Sequence, residues 1–166
     1  MYYKMSFMKK ILSVLFAFFM MITIYAQSAD VITEMLDADE ATFGQVCYIA
    51  AVQMNLIDEN DSLETAVKTL YEKEIIPTLE DAAAPVPAVD VAFIYSRLWK
   101  IKGGLMYRLT KGAPRYAFRQ FKSDGIIDQN LDPAATISGA DALSIYTSCV
   151  NQYSGFNMRN VSMEEE

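Results

Sequence analysis

Residues 114–150, PRYAFRQFKSDGIIDQNLDPAATISGADALSIYTSCV, decide the fold of this chain. They read as helix, tight turn and capped helix. Pro114 suits a first helical turn, where its missing N–H leaves nothing unpaired. Tyr116, Ala117, Phe118 and Phe121 then give a short apolar stripe. Ser123-Asp124-Gly125 stops the helix, because glycine tolerates the left-handed conformation of a C-terminal cap. Ile126 and Ile127 plug the turn, and Asp132-Pro133 opens an irregular loop. Ser138 and Asp141 have the spacing of a capping box, with Asp141 where Glu or Gln is usual. Ala142, Leu143, Tyr146, Cys149 and Val150 follow at helical spacing.

A shortened copy of this plan stands at residues 43–73. Asn55-Leu56-Ile57-Asp58 matches Gly125-Ile126-Ile127-Asp128, and asparagine also accepts a left-handed cap. Asp61 or Ser62 caps the next helix, where Ala66, Val67 and Leu70 repeat the offsets of Ala142, Leu143 and Tyr146. The match is either an internal repeat or the shared grammar of two helical hairpins, which short connections make common.

The order helix, Gly-Ile-Ile, loop with Asp-Pro, then Ile137-Ser138-Gly139-Ala140-Asp141-Ala142 resembles the S-layer homology module. That family has a Gly-Ile turn, a loop, and a helix opened by an I-T-R-A-E-A-like motif. The matching positions are Gly125, Ile126, Ile137, Ser138, Ala140, Asp141 and Ala142. Gly139 stands in place of the motif's arginine, and Asp141 in place of its glutamate. The resemblance implies an all-helical module at the cell envelope, in a family whose motif region helps bind cell-wall polysaccharide.

At the N-terminus Lys9 and Lys10 precede an apolar run over residues 11–25, and Ala26 offers a cleavage site. Residues 1–26 are therefore expected to be a signal peptide, with Met8 as an alternative start. The run is shorter than the ~20 residues a spanning helix needs, so the mature form has no stable membrane span. No Cys follows the run to accept a lipid. The remainder, with 52% apolar residues in the whole chain, is long enough for one globular domain. Residues 30–153 are its expected extent, followed by a flexible acidic tail at 154–166.

Within the domain, residues 30–43 contain a short amphipathic helix. Helices follow at 43–55 and 64–76, with Thr42 or nearby acids capping the first. TLEDAAAPVP at 78–87 reads as a linker, since proline and alanine crowd there. Residues 88–102 form the strongest helix, with Val91, Ile94, Tyr95, Leu98 and Ile101 on one face and Gly103-Gly104 as its stop. Residues 105–110 read as a helical turn. The fold class is all-α: one compact helical domain of five to seven helices built from helix-turn-helix hairpins, two of them candidates for a repeat.

The chain has no His, the commonest general base and metal ligand. It has no G-x-S-x-G, H-E-x-x-H, phosphate-loop or dinucleotide motif. No catalytic, metal or cofactor residue is assigned. Asp58, Asp61, Asp128 and Asp132 are turn and cap residues, which leaves a carboxylate-based hydrolase as the weakest reading. Cys47 and Cys149 form a disulfide in the exported protein, or they are two buried thiols on separate helices.

Charge carries the functional signal. The chain's net charge of −7 becomes −10 when Lys4, Lys9 and Lys10 leave with the signal, which argues against nucleic acid as a partner. Residues 30–90 hold 14 acids against Lys68 and Lys73, whereas residues 97–122 hold eight basic residues and no acid. The candidate ligand-binding residues are Arg97, Trp99, Tyr107, Arg108, Lys111, Arg115 and Arg119. Cations can hold an acidic glycan while an aromatic ring stacks on its sugars. The alternative is that the rings are core and the cations pair with the acidic half, since charge runs are usually solvated faces. The expected function is an exported, non-enzymatic envelope module, periplasmic or at the surface of a bacterium. It would bind a cell-wall glycan or an envelope protein, or else serve as a purely structural subunit.

Overall fold

The computed structural model describes residues 26–161, with side chains from Asp30 to Ser154. Seven helices lie among the described residues: α1 (Ala26–Asp37), α2 (Phe43–Gln53), α3 (Leu63–Glu72), α4 (Ala88–Leu98), α5 (Leu105–Leu109), α6 (Pro114–Ser123) and α7 (Gly139–Val161). There is no strand among them, only the isolated bridges Thr42–Pro85 and Pro87–Thr136. The all-helical expectation holds. The expected signal peptide lies outside the described residues except for Ala26, which opens α1. Helix α7 runs on to Val161, into the segment read as a tail.

The helices pair in a cycle. α2 packs on α3, α4 on α6 and α7 on α1, while α4 touches both α2 and α7 at the centre. Three successive helix–loop–helix segments, α1–α2, α3–α4 and α6–α7, thus pack on one another rather than internally, and backbone bonds between their loops and helix starts close them into a cycle of three. The last two pairs are in register without a gap at an offset of 51 residues (114 − 63, 125 − 74, 139 − 88). Leu70 thus corresponds to Phe121, Ile75-Ile76 to Ile126-Ile127, Asp81 to Asp132, Val86 to Ile137 and Asp90 to Asp141. The two aspartates close the same local turn, Asp81 accepting from Ala83 N–H at 3.0 Å and Asp132 from Ala134 N–H at 2.8 Å. The hairpin at 43–73 exists, but the copy of 114–150 in strict register is the α3–α4 pair.

Segment 78–87 is correspondingly no loose linker. Val86 is fully buried, Ala82 nearly so, and the segment bonds on both sides. The first N–H of each inner helix has no intrahelical acceptor. Phe43 donates to Ala84 O (3.0 Å), Ala88 to Ala135 O (2.9 Å) and Gly139 to Ala38 O (3.0 Å), so each helix start rests on the next pair's loop. Val86 N–H to Ala41 O and Ala41 N–H to Ile137 O, both 2.8 Å, continue the relay. Side-chain caps complete these ends. Thr42 and Gln45 form a full capping box, Ser62 Oγ accepts from Thr65 N–H, and Ser138 Oγ from Asp141 N–H. Asp61 is not the cap; its carboxylate closes the preceding turn on Asp58 N–H at 2.8 Å.

Five helices end alike. Asn55, Glu74, Lys100, Lys111 and Gly125 all have φ between 47° and 74°. In each case the following N–H returns to the helix: Leu56 to Ala51, Ile75 to Leu70, Ile101 to Ser96, Gly112 to Tyr107 and Ile126 to Phe121. This is the Schellman arrangement, and Leu56, Ile75, Ile101 and Ile126 supply its apolar contact with the core. Helix α4 accordingly stops at Trp99–Lys100, before Gly103-Gly104. Gly125 has nothing within 4 Å of a Cβ, so a substitution there acts through backbone strain alone. Gly125→Val should destabilise by about 1–2 kcal/mol, and Glu74→Gly, at the same place in the other pair, should stabilise by up to about 1 kcal/mol. Thermal melting of the two variants measures both signs.

Candidate functional site

The α4–α6 connection interrupts the threefold plan with an added helix, α5. It is anchored from within by Tyr107, which is buried. Gly103 and Gly112 leave room for that ring: a Cβ at either would lie 2.6 and 2.8 Å, respectively, from ring atoms of Tyr107. Arg97 donates to Lys111 O at 2.8 Å and ties the far end of the connection to α4. The near end is tied to α6, where Gln120 Oε1 accepts from Gly104 N–H at 2.8 Å. Gln120 in turn donates to Asp124, whose other oxygen accepts from Tyr153 OH at 2.6 Å, so α5, α6 and α7 share one polar chain. Burial raises the Tyr153 pKa above its ordinary value, and the bond to Asp124 adds to this.

The expected ligand-binding residues separate into two groups. Arg97 is a clamp that also lies over the Phe93 ring at 4.9 Å. Trp99 is half-buried, its ring 6.2 Å from that of Tyr146 and its indole N–H buried without a partner. With Tyr107 in the core, these two rings serve packing and offer no open platform. Lys122 is likewise structural, donating to Gln129 O and Leu131 O. Arg108, Lys111, Arg115 and Arg119 are exposed, as is Lys100. None of these five forms an ion pair with a described residue; the recorded pair is Lys68–Glu72, 3.8 Å apart on α3. No acid of the described residues stands within ion-pairing distance of them. Between α5 and α6 runs an open groove lined by Gly104, Leu105, Met106, Tyr116, Arg119 and Gln120.

Sequence reading missed the apolar part of this face. Leu105, Met106 and Leu109 are 77%, 55% and 73% exposed. Leu105 and Leu109 are i, i+4 neighbours on α5, opposite the inward Tyr107, and that spacing was the available signal.

Cys47 and Cys149 are both free and buried, two thiols on separate helices. Burial pushes the Cys47 thiol up to about 12; it does the same for Cys149, with the charge of Asp124 adding to the rise. Tyr95 is fully buried, and burial raises its pKa, with Cys149, Tyr146 and Cys47 contributing.

A small cavity beside α4 brings Glu80 and Asp90 together with Phe43, Ile76, Phe93 and Ile94. Burial raises the Asp90 carboxyl above its ordinary pKa and the charge of Glu80 raises it further, while Glu80 accepts a 2.6 Å bond from Thr78. Among the described residues no group of three His, Cys, Asp or Glu side chains is placed to hold a metal ion, and no helix is long and apolar enough to cross a membrane. No family model, curated protein or solved structure matches this chain.

The thiols give a direct check of the core. With pKa values near 12, roughly one part in ten thousand of either thiol is thiolate at pH 8, and burial blocks access as well. The folded protein should resist iodoacetamide at pH 8 and take up two labels once unfolded. An intact mass lacking two hydrogens before reduction would instead show a disulfide.

Proposed function

We propose that this chain is an exported, non-enzymatic module of the cell envelope that holds an acidic wall polymer on the face formed by Arg108, Lys111, Arg115 and Arg119. The observation that carries this reading is that these exposed cations have no ion-pair partner among the described residues, beside an open groove. Cations already paired would have to break those pairs to bind; these do not. Export rests on Lys9-Lys10 and the apolar run that follows them.

The resemblance to S-layer homology modules supports the envelope setting more than it supports the binding residues. At the position of the family's arginine stands Gly139, where a Cβ would lie 1.7 Å from Met35 O. The contact between α1 and α7 excludes any side chain there. Binding on the family's pattern is thus blocked at that point, and the exposed cations of residues 108–119 are the alternative this chain offers.

The test is retention on purified wall fractions at rising salt. Screening shortens from a Debye length of about 10 Å at 0.1 M to 3 Å at 1 M, so retention should fall over that range. Replacing Arg108, Lys111 and Arg115 by glutamine removes three exposed contacts of about 0.5 kcal/mol each, roughly tenfold in affinity. The melting temperature should stay close to that of the parent, because exposed substitutions change stability by less than about 0.5 kcal/mol. A triple variant that binds as tightly as the parent overturns the reading.

A further inference from the structure

We propose that α5 is a membrane-contact tip, which places Leu105, Met106 and Leu109 among the headgroups and upper acyl chains of an anionic phospholipid surface. Two independent features meet there. The first is apolar: the three side chains are 77%, 55% and 73% exposed on one five-residue helix added between α4 and α6. A soluble monomer rarely exposes large apolar groups together, and a polar-rimmed patch marks a protein or membrane contact. The second is charge: Lys100, Arg108, Lys111, Arg115 and Arg119 are exposed around this segment, with no acid between residues 97 and 122.

The occupant follows from exposure and charge together. A protein partner would need an acidic rim around an apolar patch fitted to these three side chains. A bilayer deforms around the tip and supplies phosphates at the depth of the flanking guanidinium groups. Each basic side chain at an anionic leaflet strengthens attachment by roughly fivefold. Apolar insertion supplies the rest, because one chemical signal alone holds a protein to a bilayer only marginally. The acidic half does not forbid this approach, since charges further off than the ~8 Å Debye length are screened.

The geometry suits insertion. Tyr107, clamped between Gly103 and Gly112, and the Arg97–Lys111 and Gly104–Gln120 bonds hold the helix rigid from behind. The tip therefore enters lipid without losing a contact of the fold. This goes beyond the polymer reading and stands without it, because aliphatic side chains add nothing to the binding of a hydrated polyanion.

The experiment uses the whole chain with vesicles of phosphatidylglycerol and phosphatidylcholine, against pure phosphatidylcholine, and a local readout. Leu109→Cys is labelled with a polarity-sensitive dye, which the two buried native thiols do not take up; Leu79→Cys, exposed on the segment before α4, is the control. The dye at 109 should shift to the blue and become accessible to a lipid-borne quencher on anionic vesicles only, while the dye at 79 stays in water. Replacing Leu105, Met106 and Leu109 by serine should lower vesicle affinity at least tenfold and leave binding to soluble dextran sulfate unchanged. A dye at 109 that stays in water while the protein sediments with vesicles overturns the inference, because attachment then comes from elsewhere. A serine variant that binds vesicles like its parent also overturns it. Undiminished dextran sulfate binding when Arg108, Lys111 and Arg115 are replaced by glutamine counts against the polymer reading alone, so the two failures are separable.

Discussion

Three inner helices begin on one another's loops, and the rest of the structure depends on that closure. A helix start leaves backbone N–H groups without acceptors, and here the first of them is met by a carbonyl of the next helix pair rather than by water. An amide left unpaired in this interior would lose about 1–3 kcal/mol, so the three segments before α2, α4 and α7 hold one another in place. Once they are fixed, the apolar faces are fixed too. Val86, Ala41 and Ile137 are drawn inward beside the bonds, and Tyr95 meets Tyr146 edge-on at 5.7 Å where α4 crosses α7. Alanine and glycine at 41, 44, 88 and 139 let the backbones come close; a Cβ at 44 would lie 2.8 Å from Ala82 O.

Much of this was legible in the sequence because local chemistry and tertiary need coincide at the helix ends. Ser62, Ser138 and Thr42 cap where their spacing says they should, and Gly125 sits at a positive φ. What escaped was the part imposed by packing. Glu74 adopts the left-handed conformation of Gly125 with no glycine or asparagine to announce it. The paired isoleucines that follow each of them gain enough from burial to hold the turn against the preference of a glutamate. Without that turn the register of α3–α4 against α6–α7 is invisible, and 78–87 looks like a linker. Proline and alanine there are the small residues that a close approach of backbones requires, and composition alone does not separate the two cases.

The site was legible in charge but not in depth. A run of eight cations without an acid is a sequence fact, yet which of them reach water depends on what the aromatics do. Tyr107 and Trp99 turn inward, and Arg97 follows them, because the α4–α6 connection must be tied down at both ends. Tying a connection with its largest rings leaves its aliphatic residues outside. That exchange explains why Leu105 and Leu109 are in solvent while a tyrosine two residues from each is buried.

The same exchange bears on how a chain of this size keeps a stable core and still presents an unusual surface. The threefold closure uses only segments before α2, α4 and α7; α5 takes no part in it and is held by its packing on α6, by the buried Tyr107 and by the Arg97–Lys111 bond. An apolar tip placed on a cap or on an inner helix would compete with the core for burial and shift the packing of its pair. Placed on an added helix, behind a clamped ring and between two left-handed residues, Lys100 and Lys111, it can remain exposed without that competition. The polar chain from Gly104 through Gln120 and Asp124 to Tyr153 then fixes its direction relative to α7. Whatever binds this face therefore meets a preorganised surface, whose position is set by the core and whose chemistry is set by residues on which the core does not depend.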